Sequence, residues 1–352
     1  MNNADTVGAG YVPRVTVVIP HWKGEDILRH TLKFLFRTDY NNFSVIVVNN
    51  DSPDGSIDKV MPDFPQAKIV NAPKNLGFAA GCNLGIKHAD SEYIVLLNND
   101  TEVDSNWLLN LVSVISSDTS VAAVQVKLLN YFKREFFDYS GAAGGLIDIF
   151  GYPFAMGRVF DYMEQDEGQY DSVKDVFWAS GAAVILRKSA LDKTGLLDEM
   201  FFAHMEEIDL EWRFQLNGYK VMTCPDALVY HRSGATLQKE NLMKMRLNHR
   251  NNIIMLLKNY GTLTLLWVLP LRIMFEIITV VFGIITLQPG RSAAVILSFI
   301  DVIINLPLIL RKRRIVQNKR IISDSEIMKK MFRGSIVFEY FIKRKKTAAQ
   351  IL

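Results

Sequence analysis

The sequence predicts an α/β protein with a mostly parallel sheet flanked by helices, followed by a C-terminal pair of apolar helices. Short β-branched runs alternate with stretches of helical apolar spacing, and each run ends in a cluster of Asn, Asp or His. Residues 263–287 and 292–310 are almost wholly apolar. Alternation of this kind predicts parallel pairing, with ligands beyond the carboxyl ends of the strands.

Residues 15–20 and 45–48 are strand-like, and residues 25–36 between them have helical spacing. Strands follow at 68–70 and 93–97, the second running into Asn98-Asn99-Asp100. Residues 107–116 are helical in pattern and 121–128 strand-like, whereas 133–175 are Gly- and Tyr-rich without a period, so no element is assigned there. Regularity returns at 176–186. A helix over 206–216 is closed by Gly218, a typical residue after a helix end, and a strand over 221–229 leads to His231.

With 352 residues, 49% hydrophobic and 22% charged, the chain has the composition of a folded protein. Cys82 and Cys224 lack metal or disulfide spacing, which suits a reducing compartment. Residues 1–14 have no basic-then-apolar pattern that would direct secretion. Residues 311–352 hold 13 Lys/Arg against 3 Asp/Glu, net +10, leaving residues 1–310 at −7. A basic segment after an apolar one points to an anionic membrane surface; no nucleic-acid-binding signature accompanies it.

Four clusters carry chemistry. Pro20-His21 with Asn49-Asn50-Asp51-Ser52 places amides and a carboxylate at strand ends, where they either contact a base and ribose or form a plain turn. The run from Asn75 through Gly77 and Gly81 to Asn83 opens a helix, and its small residues permit either close approach of a phosphate or close helix packing. It matches neither dinucleotide nor Walker spacing. Asn98-Asn99-Asp100 follows a strand, and its carboxylate suits Mg²⁺ or Mn²⁺, with His231 as a second ligand or a structural histidine. The carboxylate-dense run LDEMFFAHMEEIDLEWR (197–213) offers Glu206 or Glu207 as general base, while Asp209 and Arg213 are i,i+4 partners that brace the helix start.

Together the runs VVIPHW, NNDSPDGS, NLGFAAGCNLGI, LLNNDT, SGAAVILR, LDEMFFAHMEEIDLEWR and YHRSGAT, in this order over residues 15–235, resemble the family 2 glycosyltransferases of the GT-A fold. The likeness is to the rhamnosyltransferase-like branch of bacterial surface polysaccharide synthesis. It implies transfer of a sugar, such as rhamnose, from a nucleotide-sugar donor to a glycan or lipid-linked acceptor with a divalent metal. By position, Pro20, His21, Asn49 to Ser52, Asn75, Gly77, Gly81, Asn83, Asn98 and Asn99 would line the donor pocket. Trp178, Gly181, Ala182, Glu206, Asp209 and Arg213 would border the acceptor, Glu207 would be the catalytic base, and Asp100 and His231 would bind metal. The family often has Asp at the positions of Asn49 and Glu207 and an acidic residue at Asn98.

A processive synthase would carry Gln-x-x-Arg-Trp, and none of the five Trp residues follows an Arg. A nucleotidyltransferase would show a Gly-rich N-terminal signature with a following Lys, which is absent. A catalytically inactive sugar-binding or scaffold protein remains the rival of another class. The expected organisation is a lead at 1–14, a catalytic domain at 15–260, a membrane-associated hairpin at 261–310 and a basic tail at 311–352. At 1.5 Å per residue the apolar stretches reach roughly 37 and 28 Å, against a hydrocarbon core of about 30 Å. Arg272 with Glu276, and Asp301 with Asn305, fall on one face of each helix and suit mutual pairing in a buried seam. Flanking charge places both ends of the hairpin at the cytoplasmic face of the bacterial inner membrane.

Overall fold

The computed structural model describes residues 11–232 and 242–352. Most of the lead expected at 1–14, and residues 233–236 of the YHRSGAT run, lie outside the described residues. β1 (Val15–His21), β2 (Phe43–Asn49), β3 (Ala67–Asn71), β4 (Tyr93–Leu97), β5 (Thr101–Val103) and β6 (Val121–Asn130) open the chain's sheet. A separate antiparallel sheet of β7 (Gly145–Ile147), β8 (Pro153–Ala155), β9 (Arg158–Val159) and β10 (Tyr162–Met163) intervenes. β11 (Ala183–Arg187) and β12 (Lys220–His231) then complete eight strands in the order β3-β2-β1-β4-β11-β6-β12-β5. Only β11 and β5 run antiparallel to their neighbours.

The strands are apolar on both sides because both faces are covered, as a parallel sheet requires. In β1, Val15, Val17 and Ile19 join one core with Leu28 and Leu32 of α1 (Glu25–Leu35), while Val18 joins the other. α2 (Ser56–Val60) lies beside α1; α3 (Gly77–Lys87) takes the opposite face, and α4 (Trp107–Ser117) packs on the first face through Trp107 and Leu111. Close packing of α3 is one of the two uses foreseen for its small residues. A Cβ at Gly85 would lie 2.3 Å from the Val18 side chain and 3.0 Å from Val48.

α5 (Lys188–Thr194) and α6 (Glu206–Leu216) complete the second face, and α7 (Leu242–Asn259) packs against α6. Beyond them come α8 (Thr262–Ile285), α9 (Pro289–Ile304) and α10 (Leu306–Lys319). The second apolar stretch is therefore not one helix: it bends by 70° between α9 and α10, at Asn305. α10 crosses the expected boundary at 310 and hydrogen-bonds back to α7, Arg313 donating to the Leu257 carbonyl and Gln317 to those of Lys258 and Asn259.

Arg272 and Glu276 do pair in a buried seam, with Nη2 to Oε1 at 2.6 Å and His249 of α7 joining at 2.8 Å. Asp301 and Asn305 do not pair through their side chains. Asp301 takes Arg246 of α7, and the Asn305 amide caps the Asp301 carbonyl. The last part of the basic segment packs on the β7–β10 sheet. Ile336 and Ile351 bury against Phe154 and Val159, and the Ile336 amide donates to Asp148 Oδ2 at 2.9 Å.

Candidate active site

The carboxyl ends of β1, β2, β4, β6 and β12 lie along one edge of the large sheet and deliver His21, Asn49, Asn98, Asn130 and His231 there. His21 is fully buried, its Nε2 2.7 Å from Ser56 Oγ and its Nδ1 2.7 Å from Asn99 Nδ2. An amide nitrogen only donates, so Nδ1 accepts and the ring proton sits on Nε2. Burial lowers the His21 pKa to about 4, so the ring is neutral and ties the Asn99 loop to α2.

The expected donor residues divide by what their side chains do. Asn50 accepts from the Leu76 amide at 2.8 Å and donates to Asn75 Oδ1 and the Gly77 carbonyl, shaping the turn into α3. Asn49 accepts from the Ser52 amide and donates to Asn71. The Asn83 amide is taken up by Leu197 and Glu199, bracing the second core. Asp51 is exposed with φ +58°, and Gly81 presents only ordinary contacts, 3.6 Å to Pro20 and 3.4 Å to Asn50. Gly77, at φ +77°, is fixed by fit: a Cβ there would meet the Phe202 carbonyl oxygen at 2.6 Å. Phe202 O accepts from Phe78 and Ala79 at the start of α3, so this turn and the segment before α6 hold each other.

That segment is unusual, because Phe202, His204 and Met205 all have left-handed backbone. Such conformations persist where their surroundings impose them. Asn251 of α7 does so, donating to the carbonyls of Phe201, Ala203 and His204, and Arg250 donates to those of Met200 and Phe201. The result aims the first turn of α6 at the sheet edge. Glu206 Oε2 and Glu207 Oε2 are buried there without hydrogen-bond partners, and so is His204 Nε2.

Burial raises the Glu207 carboxyl pKa to about 7, against the backbone N–H groups of Glu207 and Met205 that lower it. Glu206 is pushed well above the ordinary carboxylate range, by burial first and then by Glu207. Gly181 stands beside Glu207, since a Cβ on it would lie 3.9 Å from Glu207 Cβ. The Ala182 carbonyl accepts from the Asn98 amide at 2.9 Å, which joins this corner to the Asn98–Asp100 turn.

At that turn Asp100 Oδ1 lies 3.0 Å from His231 Nε2, and Asn98 Nδ2 lies 3.2 Å from the same nitrogen. On the far side of the ring, Asp138 Oδ1 lies 2.9 Å from Nδ1. Burial would lower the His231 pKa, but the two carboxylates raise it well above the ordinary value. Asp138 belongs to the stretch without periodicity, so no sequence signal pointed to it. His204 sat inside a recognised run, and only the structure reveals its strained backbone and unpartnered nitrogen.

The other expected acceptor-side residues are held by the packing around them. Asp209 is wholly buried, bonded by Arg213, Lys258 and Asn259, while Arg213 also caps the Thr194, Gly195 and Leu196 carbonyls. The bracing by i,i+4 pairing is as foreseen, and Lys258 and Asn259 of α7 join it. Trp178 is buried, with Nε1 donating to the Leu146 carbonyl.

The description "Glycosyl transferase family 2" matches residues 16–194. The chain belongs to glycosyl transferase family 2. Its curated relatives include an O-antigen biosynthesis protein of Myxococcus xanthus, 27% identical over 63% of this chain and 18% of the relative. An N-acetylglucosaminyl-diphospho-decaprenol L-rhamnosyltransferase of Mycobacterium tuberculosis is 22% identical over 65% of this chain and 78% of its own. This family 2 chain thus spans under a fifth of the first relative and most of the second. Among solved structures, GalNAc-T7 with UDP, GalNAc and Mn²⁺ superposes at TM-score 0.57 with 14% identity, over 69% of this chain and 47% of that one. A Pyrobaculum calidifontis mannosyltransferase in complex with GDP-Man and Mn²⁺ gives 0.51 with 14% identity, over 88% and 86%. These likenesses establish the GT-A fold.

A divalent cation fits this family 2 site on the chain's own atoms. A buried carboxylate oxygen and an imidazole nitrogen face each other, and a second carboxylate holds the imidazole from behind, as metal-bound histidines are commonly held. Among the described residues no group of three or more His, Cys, Asp or Glu side chains could enclose a metal. Two protein ligands suit a cation whose remaining ligands are substrate phosphates and water.

Proposed function

We propose that the chain is an inverting glycosyltransferase that moves a sugar from a nucleotide-sugar donor to a hydroxyl of a lipid-linked glycan, at the cytoplasmic face of a bacterial membrane, in surface polysaccharide synthesis. The observation that carries this reading is Glu207: its carboxyl pKa is raised to about 7 by burial, its Oε2 has no partner, and it stands beside Gly181, next to Ala182, whose carbonyl accepts from the Asn98 amide. Glu207 takes the acceptor hydroxyl proton as that oxygen attacks the anomeric carbon, and the nucleoside diphosphate leaves from the opposite side. Asp100 and His231 would hold the cation, which would offset charge on the leaving diphosphate. Asp51 and Ser52 remain the polar groups placed for the nucleoside. The rhamnosyltransferase relative favours a deoxysugar donor and a diphosphate-linked lipid acceptor.

α8 supports the membrane assignment. Its packed stripe is Thr264, Val268, Arg272, Glu276 and Gly283, while Leu266, Trp267, Ile277, Ile278, Val281 and Ile285 are exposed. A helix polar inward and apolar outward suits lipid better than water. It spans 24 residues and is long and apolar enough to cross a bilayer.

The test is a panel of nucleotide sugars with Mn²⁺, read by thermal unfolding. The true donor at 100 times its dissociation constant stabilises by about 2.7 kcal/mol. If no nucleotide sugar stabilises the protein, the reading falls. The base must be ionised to act, so kcat/KM should rise roughly tenfold per pH unit up to about 7 and then level off. A profile flat from pH 5.5 to 8 would remove Glu207 from the role.

A further inference from the structure

Where α9 bends into α10, a cavity of about 430 Å³ opens between the apolar helices and the segment before α6. Arg250, Arg311, Lys312 and Asn305 line it with Met200, Ile254 and Leu308. We infer that this pocket holds the phosphates of the lipid-linked acceptor. The inference rests on the lipid-acceptor reading above and gives that acceptor a place.

Three cations line the pocket, of which Lys312 is paired with Asp198 and two, Arg250 and Arg311, have no carboxylate partner among the described residues. Asp198 pairs with Lys258 and Lys312, and Asp301 with Arg246. Arg311 is exposed and has no partner among the described residues. Arg250 donates Nη2 to the Met200 and Phe201 carbonyls and Nε to Asn251 Oδ1, so its guanidinium is oriented with Nη1 left for a ligand. Clustered guanidinium and ammonium groups on a partly apolar floor suit phosphate oxygens, which accept charge-assisted hydrogen bonds.

The surroundings select a lipid phosphate over a soluble one. Ile303, Ile304, Leu306 and Leu310 are exposed on either side of Asn305 and Leu308, so an apolar chain leaving the pocket meets an apolar surface. In the other direction, Met200 begins the segment that ends at Glu207. In this placement the phosphates sit against Arg250 and Arg311, beside the Met200–Phe201 carbonyls that Arg250 holds at the start of the segment leading into α6, with the tail along α9 and α10. Fixing the acceptor in this way supplies the orientation that transfer needs.

The probe is farnesyl diphosphate, with farnesol, inorganic diphosphate and phosphatidylglycerol vesicles as controls, bound to the full chain in nanodiscs. Farnesyl diphosphate should bind at least about tenfold more tightly than farnesol or inorganic diphosphate, because only it satisfies both parts of the site. Arg311→Gln, at an exposed position, should weaken it about tenfold, and Arg250→Gln should do the same if the variant unfolds cooperatively. UDP with Mn²⁺ should not displace it. Displacement by UDP, or unchanged binding in Arg311→Gln, would overturn the inference. So would an Arg311→Gln effect confined to phosphatidylglycerol vesicles, which would mark a site for bulk lipid. Binding is read without turnover, so a protein that binds the probe yet accepts no nucleotide sugar would sink the proposed function and leave the pocket standing.

Discussion

Glu207→Gln should lower the transfer rate by about 10²- to 10⁴-fold while leaving donor affinity unchanged. The amide keeps the shape of the carboxyl and cannot accept a proton. Glu206→Gln is the matched control. Glu206 is pushed well above the ordinary carboxylate range by burial and then by Glu207, which favours its neutral form, and an amide imitates a neutral carboxylic acid. Its effect should stay within a few-fold. The measurement is initial rate with saturating donor, alongside nucleotide binding. A Glu207→Gln enzyme keeping over a tenth of the wild-type rate, a loss under roughly 1.4 kcal/mol, would show that another group takes the proton.

The second large effect concerns stability. Lys258 is 2% exposed and its Nζ lies 2.6 Å from Asp198 and 2.9 Å from both Asp209 oxygens. Lys258→Met fills the space but leaves two buried carboxylates short of a cation, which costs about 3–5 kcal/mol. Thermal unfolding should move down by roughly 10 °C. Burial alone would raise the Asp198 pKa, but Lys258 and Lys312 hold it well below the ordinary range. A carboxylate depressed in this way contributes stability above its unfolded pKa of about 4 and loses it as the pH falls. The wild-type protein should therefore lose this contribution below about pH 4, and the variant should lose less. Equal stability of the two proteins at pH 7 would mean that Arg213, Asn259 and Lys312 suffice.

Why some of this was legible in the sequence follows from the range of each interaction. β1, β2 and β4 announce themselves because doubly covered strands are mostly apolar on both faces, and the polar cluster at the end of each marks the edge where ligands bind. α6 was clear because its acidic start and Gly218 are local signals. The strands β7 to β10 have two or three residues each, too few to establish an alternation. Asp138 was hidden with them, although it reaches the ring of His231, 93 residues away. Lys258 carried no sequence signal, since Asp209 and Asp198 lie 49 and 60 residues before it. The elbow at Asn305 was passed over because residues 292–310 are almost wholly apolar, although Pro307 in the first turn of α10 is a local signal for a new helix start across the 70° change of direction. Asn83 resembled a ligand contact by position, yet its amide serves Leu197, 114 residues on. Motif position showed where a cleft lies, but not which side chains face into it.

The bond from the Ile336 amide to Asp148 spans 188 residues. At ribosomal speeds of about 5–20 residues per second, its two ends are made roughly 10 to 40 s apart. Throughout that interval the nascent β7–β10 sheet shows Phe154 and Val159 without the cover that Ile336 and Ile351 later give. The middle of the chain is thus born sticky and stays so until the C-terminal segment has been translated. Contacts this distant in sequence also form slowly once both ends exist. Chaperone demand in the cell should concentrate on that interval, beside a domain whose β1 to β4 have long since paired.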